Sequence, residues 1–319
     1  MYDVTTMGEL LIDFVPAGMT EEGFPILAAN PGGAVANYAC TVSKMGRSSR
    51  IIAKVGDDSF GKMLVRHLEQ QRVCVDSVYQ DNRYFTTLAF VTLDKDGERN
   101  FSFARKPGAD MMLDRAELPP DLAQTRIFHF GTLSMTNNQT KQVTLEAVCR
   151  ARQGGALISL DPNLRLPLWQ SEEHARSTIL EAISIADIVK LSKEELEFLY
   201  MDQLQDAAQK LLKSKPQLVF VTCAHKGSCY FRKDGLHGSV DGFFMQNTLD
   251  TTGAGDIFGG SIAFKILEYG IDIMQLQEEQ LEQALRFANA AAALSTTHYG
   301  GIPSIPNIEE VNAILGQSL

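Results

Sequence analysis

Asp250-Thr251-Thr252-Gly253-Ala254-Gly255-Asp256 lies between an extended stretch, Leu236 to Phe244, and an amphipathic helix over about Ala254 to Tyr269. Two glycines let the backbone turn sharply and bring its N–H groups close to a bound group. The helix starts there, so unpaired N–H groups and the positive end of its dipole face outward together. That combination takes an anion. Asp256 stands in the first turn, where the same field favours its charged form. A carboxylate beside an anion hole suits phosphoryl transfer: a base for the attacking hydroxyl, and donors for the charge on the moving phosphate. The same residues would also serve as an ordinary capped helix start.

A second segment, Asn30-Pro31-Gly32-Gly33-Ala34-Val35-Ala36-Asn37, opens another helix that ends at Met45, with Gly46 in the C′ position. Paired glycines with Asn37 about one turn in make a polar, low-profile surface. With these two motifs in this order the chain resembles the ribokinase-like carbohydrate kinases of the phosphofructokinase-B type. The resemblance runs over essentially all 319 residues. It implies one α/β domain with a mostly parallel central sheet flanked by helices. It also implies a small β-sheet lid, inserted at about 12–29 and 85–107, that covers the sugar site and often serves dimer contact.

Two further segments resemble the fructokinase branch: Asp161-Pro162-Asn163-Leu164-Arg165 through Trp169, and Arg105-Lys106-Pro107-Gly108-Ala109-Asp110. The first follows a strand, and ligands of open α/β sheets bind beyond strand C-termini. Arg165 offers a planar fork for phosphate or hydroxyl oxygens; a surface ion pair is its plainer use. Asp13 follows the apolar run Leu10-Leu11-Ile12, and a carboxylate there can accept from neighbouring sugar hydroxyls. The resemblance places substrate contacts at Asp13, Gly32, Gly33, Asn37, Phe101 and Arg165. It places catalysis at Asp256 with Gly253, Ala254 and Gly255. ATP contacts are expected at Lys190, Thr222, Gly227, Gly253, Gly255 and Asn289. In the loop Thr222 to Gly227, Ala224 stands where the family has glycine. Asn289 falls where the family lines the adenine pocket; the small residues Ala290 to Ala293 suit a flat ring or close helix packing equally.

The resemblance implies Mg²⁺ on the phosphates, reached from Glu195 through water. Ser192-Lys193-Glu194-Glu195 departs from the family's N-x-x-E and has the spacing of a plain capping box. Both readings stay open from sequence. A loop of Asp250, Thr252, Ser295, His298, Gly300 and Ser304 matches the monovalent-cation site of relatives, which implies K⁺. The implied activity is ATP-dependent phosphorylation of a primary hydroxyl, fructose to fructose 6-phosphate. The alternatives are ribose, 2-keto-3-deoxygluconate, an aminoimidazole riboside, or a non-catalytic sugar-sensing relative. A sensor could lose Asp256 and its glycines freely, and this chain has them.

Around these motifs the chain alternates strand and helix patterns. Strands are expected over Tyr2–Met7, Arg50–Val55, Arg126–Phe130, Ala156–Leu160, Ile188–Leu191 and Gln217–Thr222. Helices are expected over Phe60–Gln71, Gln139–Arg152, Glu172–Ala186, Leu204–Lys213, Ala254–Tyr269 and Glu278–Thr296. Such alternation builds a mostly parallel sheet covered by helices. Ile12–Ala29 shows no helix, and Phe85–Arg105 reads as a hairpin around Asp94-Lys95-Asp96-Gly97. Gly56-Asp57-Asp58-Ser59-Phe60-Gly61-Lys62-Met63 nearly matches a P-loop, but Met63 lacks the hydroxyl for Mg²⁺ and two aspartates would repel phosphate. Asp57 or Asp58 is instead expected to cap the helix.

Composition sets outer bounds. A net charge of −10 argues against nucleic acid. No apolar run reaches the ~18 residues of a membrane span, and Met1-Tyr2-Asp3 begins no signal peptide. The five cysteines are scattered without C-x-x-C, which fits a reducing cytoplasm and no zinc site.

Overall fold

The computed structural model describes residues 1–93, 99–270 and 272–317. The strands are β1 (Tyr2–Met7), β2 (Leu11–Met19), β3 (Pro25–Gly32), β4 (Ser49–Gly56), β5 (Cys74–Asp81), β6 (Thr87–Leu93) and β7 (Arg99–Ala104). They continue with β8 (Thr125–Gly131), β9 (Leu157–Asp161), β10 (Ile188–Ser192), β11 (Leu218–Thr222), β12 (Ser228–Arg232) and β13 (His237–Val240). The helices are α1 (Ala34–Lys44), α2 (Ser59–Gln70), α3 (Asn138–Gln153), α4 (Glu172–Ile183), α5 (Lys193–Tyr200), α6 (Leu204–Leu212), α7 (Ala254–Tyr269), α8 (Glu278–Ser295) and α9 (Ile308–Gln317).

A nine-stranded sheet runs in the order β13-β12-β11-β10-β9-β8-β1-β4-β5. It is parallel from β11 to β5, and β12 and β13 add an antiparallel edge. Residues alternate between two buried faces, which requires helices on both sides. On β11, Val219 and Val221 join the core shared with α3, α4 and α6, while Leu218 and Phe220 join the core under α7 and α8.

A separate four-stranded sheet has the order β3-β2-β6-β7. Phe14 of β2 fastens it to the main body: its ring stacks on Phe90 at 5.2 Å and meets Phe60 of α2 edge-on at 5.6 Å. The hairpin of β6 and β7 forms as expected, with Val91 opposite Phe101; its tip, Asp94 to Gly97, lies outside the described residues. Strand β2 runs parallel to β6 with Asp13 opposite Ala89, and antiparallel to β3 with Asp13 opposite Asn30. Asp13 therefore sits within a paired strand, and not past the end of one as its apolar approach suggested.

Some boundaries differ from the periodicity. Helix α4 stops at Ile183 because Ser184-Ile185-Ala186 turns down toward β10. Regular pairing on the last edge ends at Val240, short of Phe244. Strand β5, helix α5 and helix α9 had no reading from periodicity. Gly46 has φ 82°, as a C′ glycine should.

Candidate active site

The chain leaves β1 through Gly8 and Glu9, enters the small sheet on β2, and returns on β3 into Gly33 and α1. Gly33 has φ 115°, and a Cβ on it would meet the Glu9 carbonyl oxygen at 2.4 Å. Only glycine fits this crossing of two segments. A Cβ on Gly32 would lie 2.1 Å from Asp13 Oδ2, so Gly32 contributes by leaving room for that carboxylate. Burial pushes the Asp13 carboxyl up to about 7; Arg165 opposes this, and Asp256 and Asp250 add to it.

Beyond the ends of β9 and β10, Lys190 pairs with Asp161 at 2.9 Å. Burial alone would lower the Lys190 pKa, but Asp161 and Glu195 hold it above its ordinary value. Asn163 takes φ 48°, which asparagine tolerates in a tight turn. Arg165 donates to the Leu164 carbonyl at 2.9 Å and lines the cavity.

Both readings of Ser192 and Glu195 have a structural counterpart. The capping box of α5 is complete, with Glu195 Oε2 accepting from Ser192 N at 2.8 Å and Ser192 Oγ from Glu195 N at 3.1 Å. Glu195 Oε1 accepts from Leu164 N at 2.7 Å, and the residue still lines the cavity. Burial and Asp161 raise its pKa.

Helix α7 begins after Gly253, at φ 79°, and no side chain caps it. The Ala254 amide turns back to the Thr251 carbonyl at 3.3 Å. Gly255 and Asp256 stand in the first turn, where amides have no intrahelical acceptor. A Cβ on Gly255 would lie 2.8 Å from Lys190 Nζ, so glycine lets the ammonium approach the helix start. Asp256 Oδ2 accepts from Asn37 Nδ2 at 2.8 Å. The helix start favours the charged form of Asp256. Burial and the neighbouring Asp161 carboxylate act the other way and push it up to about 6, opposed by Asn37, Lys190 and Arg165.

These segments line one open cavity of about 810 Å³. It brings together Asp13, Gly33, Asn37, Arg165, Lys190, Glu195, Thr222, Thr252, Gly253, Gly255 and Asp256. Glu9, Asp161, Phe103 and Leu133 also line it, and sequence reading gave none of these four a role. Glu9 is buried against the start of α1, accepting from Ala34 N at 2.9 Å. It lacked a signal because no motif spans the distance between β1 and α1.

Three other expected contacts are not among the described residues that line the cavity. Phe101 is on β7, and its side chain is outside those described. Asn289 spends its amide inside the fold: Oδ1 accepts from Ser228 at 2.9 Å, and Nδ2 donates to the carbonyls of Val240 and Asp241 at 3.1 and 3.2 Å. Gly227, at φ 100°, packs against Val240 and Gly242. Ala224 has φ 50°, the left-handed region that favours glycine, which gives a physical reason for the family's preference there. Arg105 is buried against Asp110 at 2.7 Å and also holds Thr136 and the Leu133 carbonyl.

Of the six cation-loop residues, three are tied together. Asp250 Oδ1 accepts from Thr252 N at 2.7 Å and Oδ2 from Gly300 N at 2.9 Å. Ser295 and Ser304 turn their hydroxyls to the carbonyls of Ala292 and Gly301, and His298 is exposed.

A parallel sheet whose strand ends open on a cavity, with a small β sheet beside it, is the architecture of the ribokinase-like sugar kinases. The family model for pfkB family carbohydrate kinases matches residues 1–308, and the chain belongs to that family. It is 42% identical to fructokinase-2 of Oryza sativa subsp. japonica over 322 aligned positions, covering 99% of this chain and 94% of that protein. The crystal structure of a Xylella fastidiosa fructokinase with bound ATP superimposes with a TM-score of 0.92 at 32% identity, over 100% of both chains. A double mutant of the Vibrio cholerae O395 fructokinase, solved with fructose, ADP and potassium ion, gives 0.88 at 29% identity, over 99% of this chain and 98% of that one.

Proposed function

We propose that this chain is an ATP-dependent fructokinase that makes fructose 6-phosphate. The observation that carries the reading is Asp256, held at 2.8 Å by Asn37, beside the uncapped start of α7 in the cavity. The sugar lies against Asp13, Gly33 and Asn37, under the small sheet acting as a lid. Asp256 accepts the proton of the primary hydroxyl as its oxygen attacks the γ-phosphorus in line. The new O–P bond forms as the bond to ADP breaks. A carboxyl pushed up to about 6 is a stronger base than an ordinary aspartate and is still mostly ionised at neutral pH. The amides of Gly255 and Asp256, with Lys190 and Arg165, receive the charge of the transferring group. Lid closure excludes water and limits ATP hydrolysis.

The chain's residues suit a divalent ion carried mainly by the phosphates. Among the described residues no group of three His, Cys, Asp or Glu could hold one directly. Glu195, its oxygens already accepting backbone N–H groups, would reach Mg²⁺ only through water, and the ion would supply neutralisation of the phosphate charge. The loop holds a buried carboxylate, Asp250, tied to the Thr252 and Gly300 amides, and oxygen donors of this kind suit K⁺. Ser295, His298 and Ser304 would complete the site, His298 through its backbone carbonyl.

Coupled ADP release with a panel of acceptors tests the reading. Fructose should give a higher kcat/KM than ribose, glucose or adenosine; faster turnover of any of these replaces fructose as the acceptor. K⁺ should raise the rate over Na⁺ or choline at constant ionic strength, and equal rates in all three remove the cation.

A further inference from the structure

Asn37 reads from sequence as a sugar contact, but its amide is engaged with the base. Asn37 Nδ2 donates to Asp256 Oδ2 at 2.8 Å, joining residues from opposite ends of the chain. An ionised carboxylate only accepts, so the amide atom facing it is the nitrogen. The side chain is buried at 3% exposure. Asn37 Oδ1 has no hydrogen-bond partner among the described residues. The amide's orientation is therefore set by the Asp256 bond and by packing.

That packing is tight and made of glycine backbone. A Cβ on Gly301 would fall 2.5 Å from Asn37 Oδ1 and 2.7 Å from Nδ2. A Cβ on Gly253 would fall 3.2 Å from Nδ2. Gly301 has φ −72°, open to any residue, so a glycine there answers to the space the amide needs and not to its own backbone. Gly301 does not line the cavity.

We infer that Asn37 is a positioning residue for Asp256, clamped between Gly253 and Gly301, and that it fixes Oδ2 so that Oδ1 is left to take the hydroxyl proton. The inference rests on the kinase reading above and adds the device that aims its base. Four other charged groups face Asp256: Asp161 from β9, Arg165 from the following loop, Lys190 from β10 and Asp13 from β2. None of them is altered by the substitutions that test the clamp.

The test measures kcat, KM for fructose and the pH dependence of kcat for wild type, Asn37→Ala and Gly301→Ala. A displaced base costs about 10–100-fold in kcat. Asn37→Ala should lose at least tenfold. The acid limb of its kcat profile should move to higher pH, because the carboxylate loses a donor that favours its charged form. Gly301→Ala should show the same two changes, smaller, with KM for fructose altered less than threefold. Should Asn37→Ala not fold, Gly301→Ala carries the test alone. Higher KM with kcat and acid limb unmoved makes Asn37 a sugar contact only and overturns the inference. A wild type that releases no ADP with any acceptor overturns the kinase reading together with it.

Discussion

Two turns of this molecule are built from the same residue types, glycine and aspartate between an extended segment and a helix, and they do opposite things with their backbone N–H groups. At the start of α2, Asp58 spends its carboxylate on the protein. Oδ1 accepts from Phe60 N at 2.9 Å, Gly61 N at 2.8 Å and Thr86 Oγ1 at 2.9 Å, and Oδ2 accepts from Thr86 N at 2.8 Å. Burial would raise its pKa, but these bonds outweigh that and lower it. Lys62, the lysine of the P-loop-like spacing, reaches outward to Asp57 at 2.7 Å. At the start of α7 no side chain among the described residues caps the amides, and Asp256 accepts from the side-chain amide of Asn37. A helix start binds an anion only if its own sequence has not already supplied one.

Four experiments test whether the two turns differ in this way. The largest effect is expected from Asp256→Asn, which keeps shape but cannot accept the proton. The kcat for ADP formation should fall about 10²–10⁴-fold, with ATP binding retained because the amides are untouched. A folded variant that binds ATP and keeps more than about half of wild-type kcat would show that Asp256 is only an acidic first-turn residue and not the base.

Gly61→Ala probes the other turn. Its Cβ would meet the Gly56 carbonyl oxygen at 2.1 Å. Such overpacking costs about 1–3 kcal/mol, read as a lower urea midpoint, while kcat of the folded fraction stays at wild type. A loss of kcat with unchanged stability would place this turn in the catalytic machinery.

Asp58→Ala removes the cap and the tie to Thr86, at about 1–2 kcal/mol. Denaturation should show the loss, and Asp58→Asn should recover part of it. An alanine variant as stable as wild type would mean the cap contributes nothing.

The smallest effect concerns pH, and the two carboxyls should respond in opposite directions. Asp58 has a folded pKa below its unfolded value. Its contribution is complete above the ordinary aspartate value of about 3.9 and is lost as pH falls through the lower folded value. Asp58→Ala should therefore flatten stability against pH in that acid range only. Asp256 titrates higher, so the acid limb of wild-type kcat/KM, which reports the free enzyme, should fall near pH 6. A limb near 4 would mean that burial and Asp161 do not act on the base as the structure implies.

Much of this was present in the chain itself. Periodicity located most strands and helices of the large sheet, with β1 and α7 at the bounds observed, because a two-sided core forces continuous apolar runs on strands and amphipathic runs on helices. Local chemistry marked the two glycine-rich helix starts, the cap in the 57–58 pair, and the capping box at Ser192, since each involves residues within one turn of each other. Tertiary structure decided everything that depends on distance across the sheet. Glu9 against Ala34, Lys190 beside Gly255, and Asn37 on Asp256 join segments remote in sequence. The same holds for the state of the base. Sequence offered the helix field, which lowers a carboxyl; the fold added burial and Asp161, which raise it. Asn289 is marked in sequence by its match to the family's adenine-lining position, and only the fold shows that its amide ties α8 to the hairpin of β12 and β13. Residue type limits what a side chain can bond to, but the partner it meets is set by which strands and helices the fold makes neighbours.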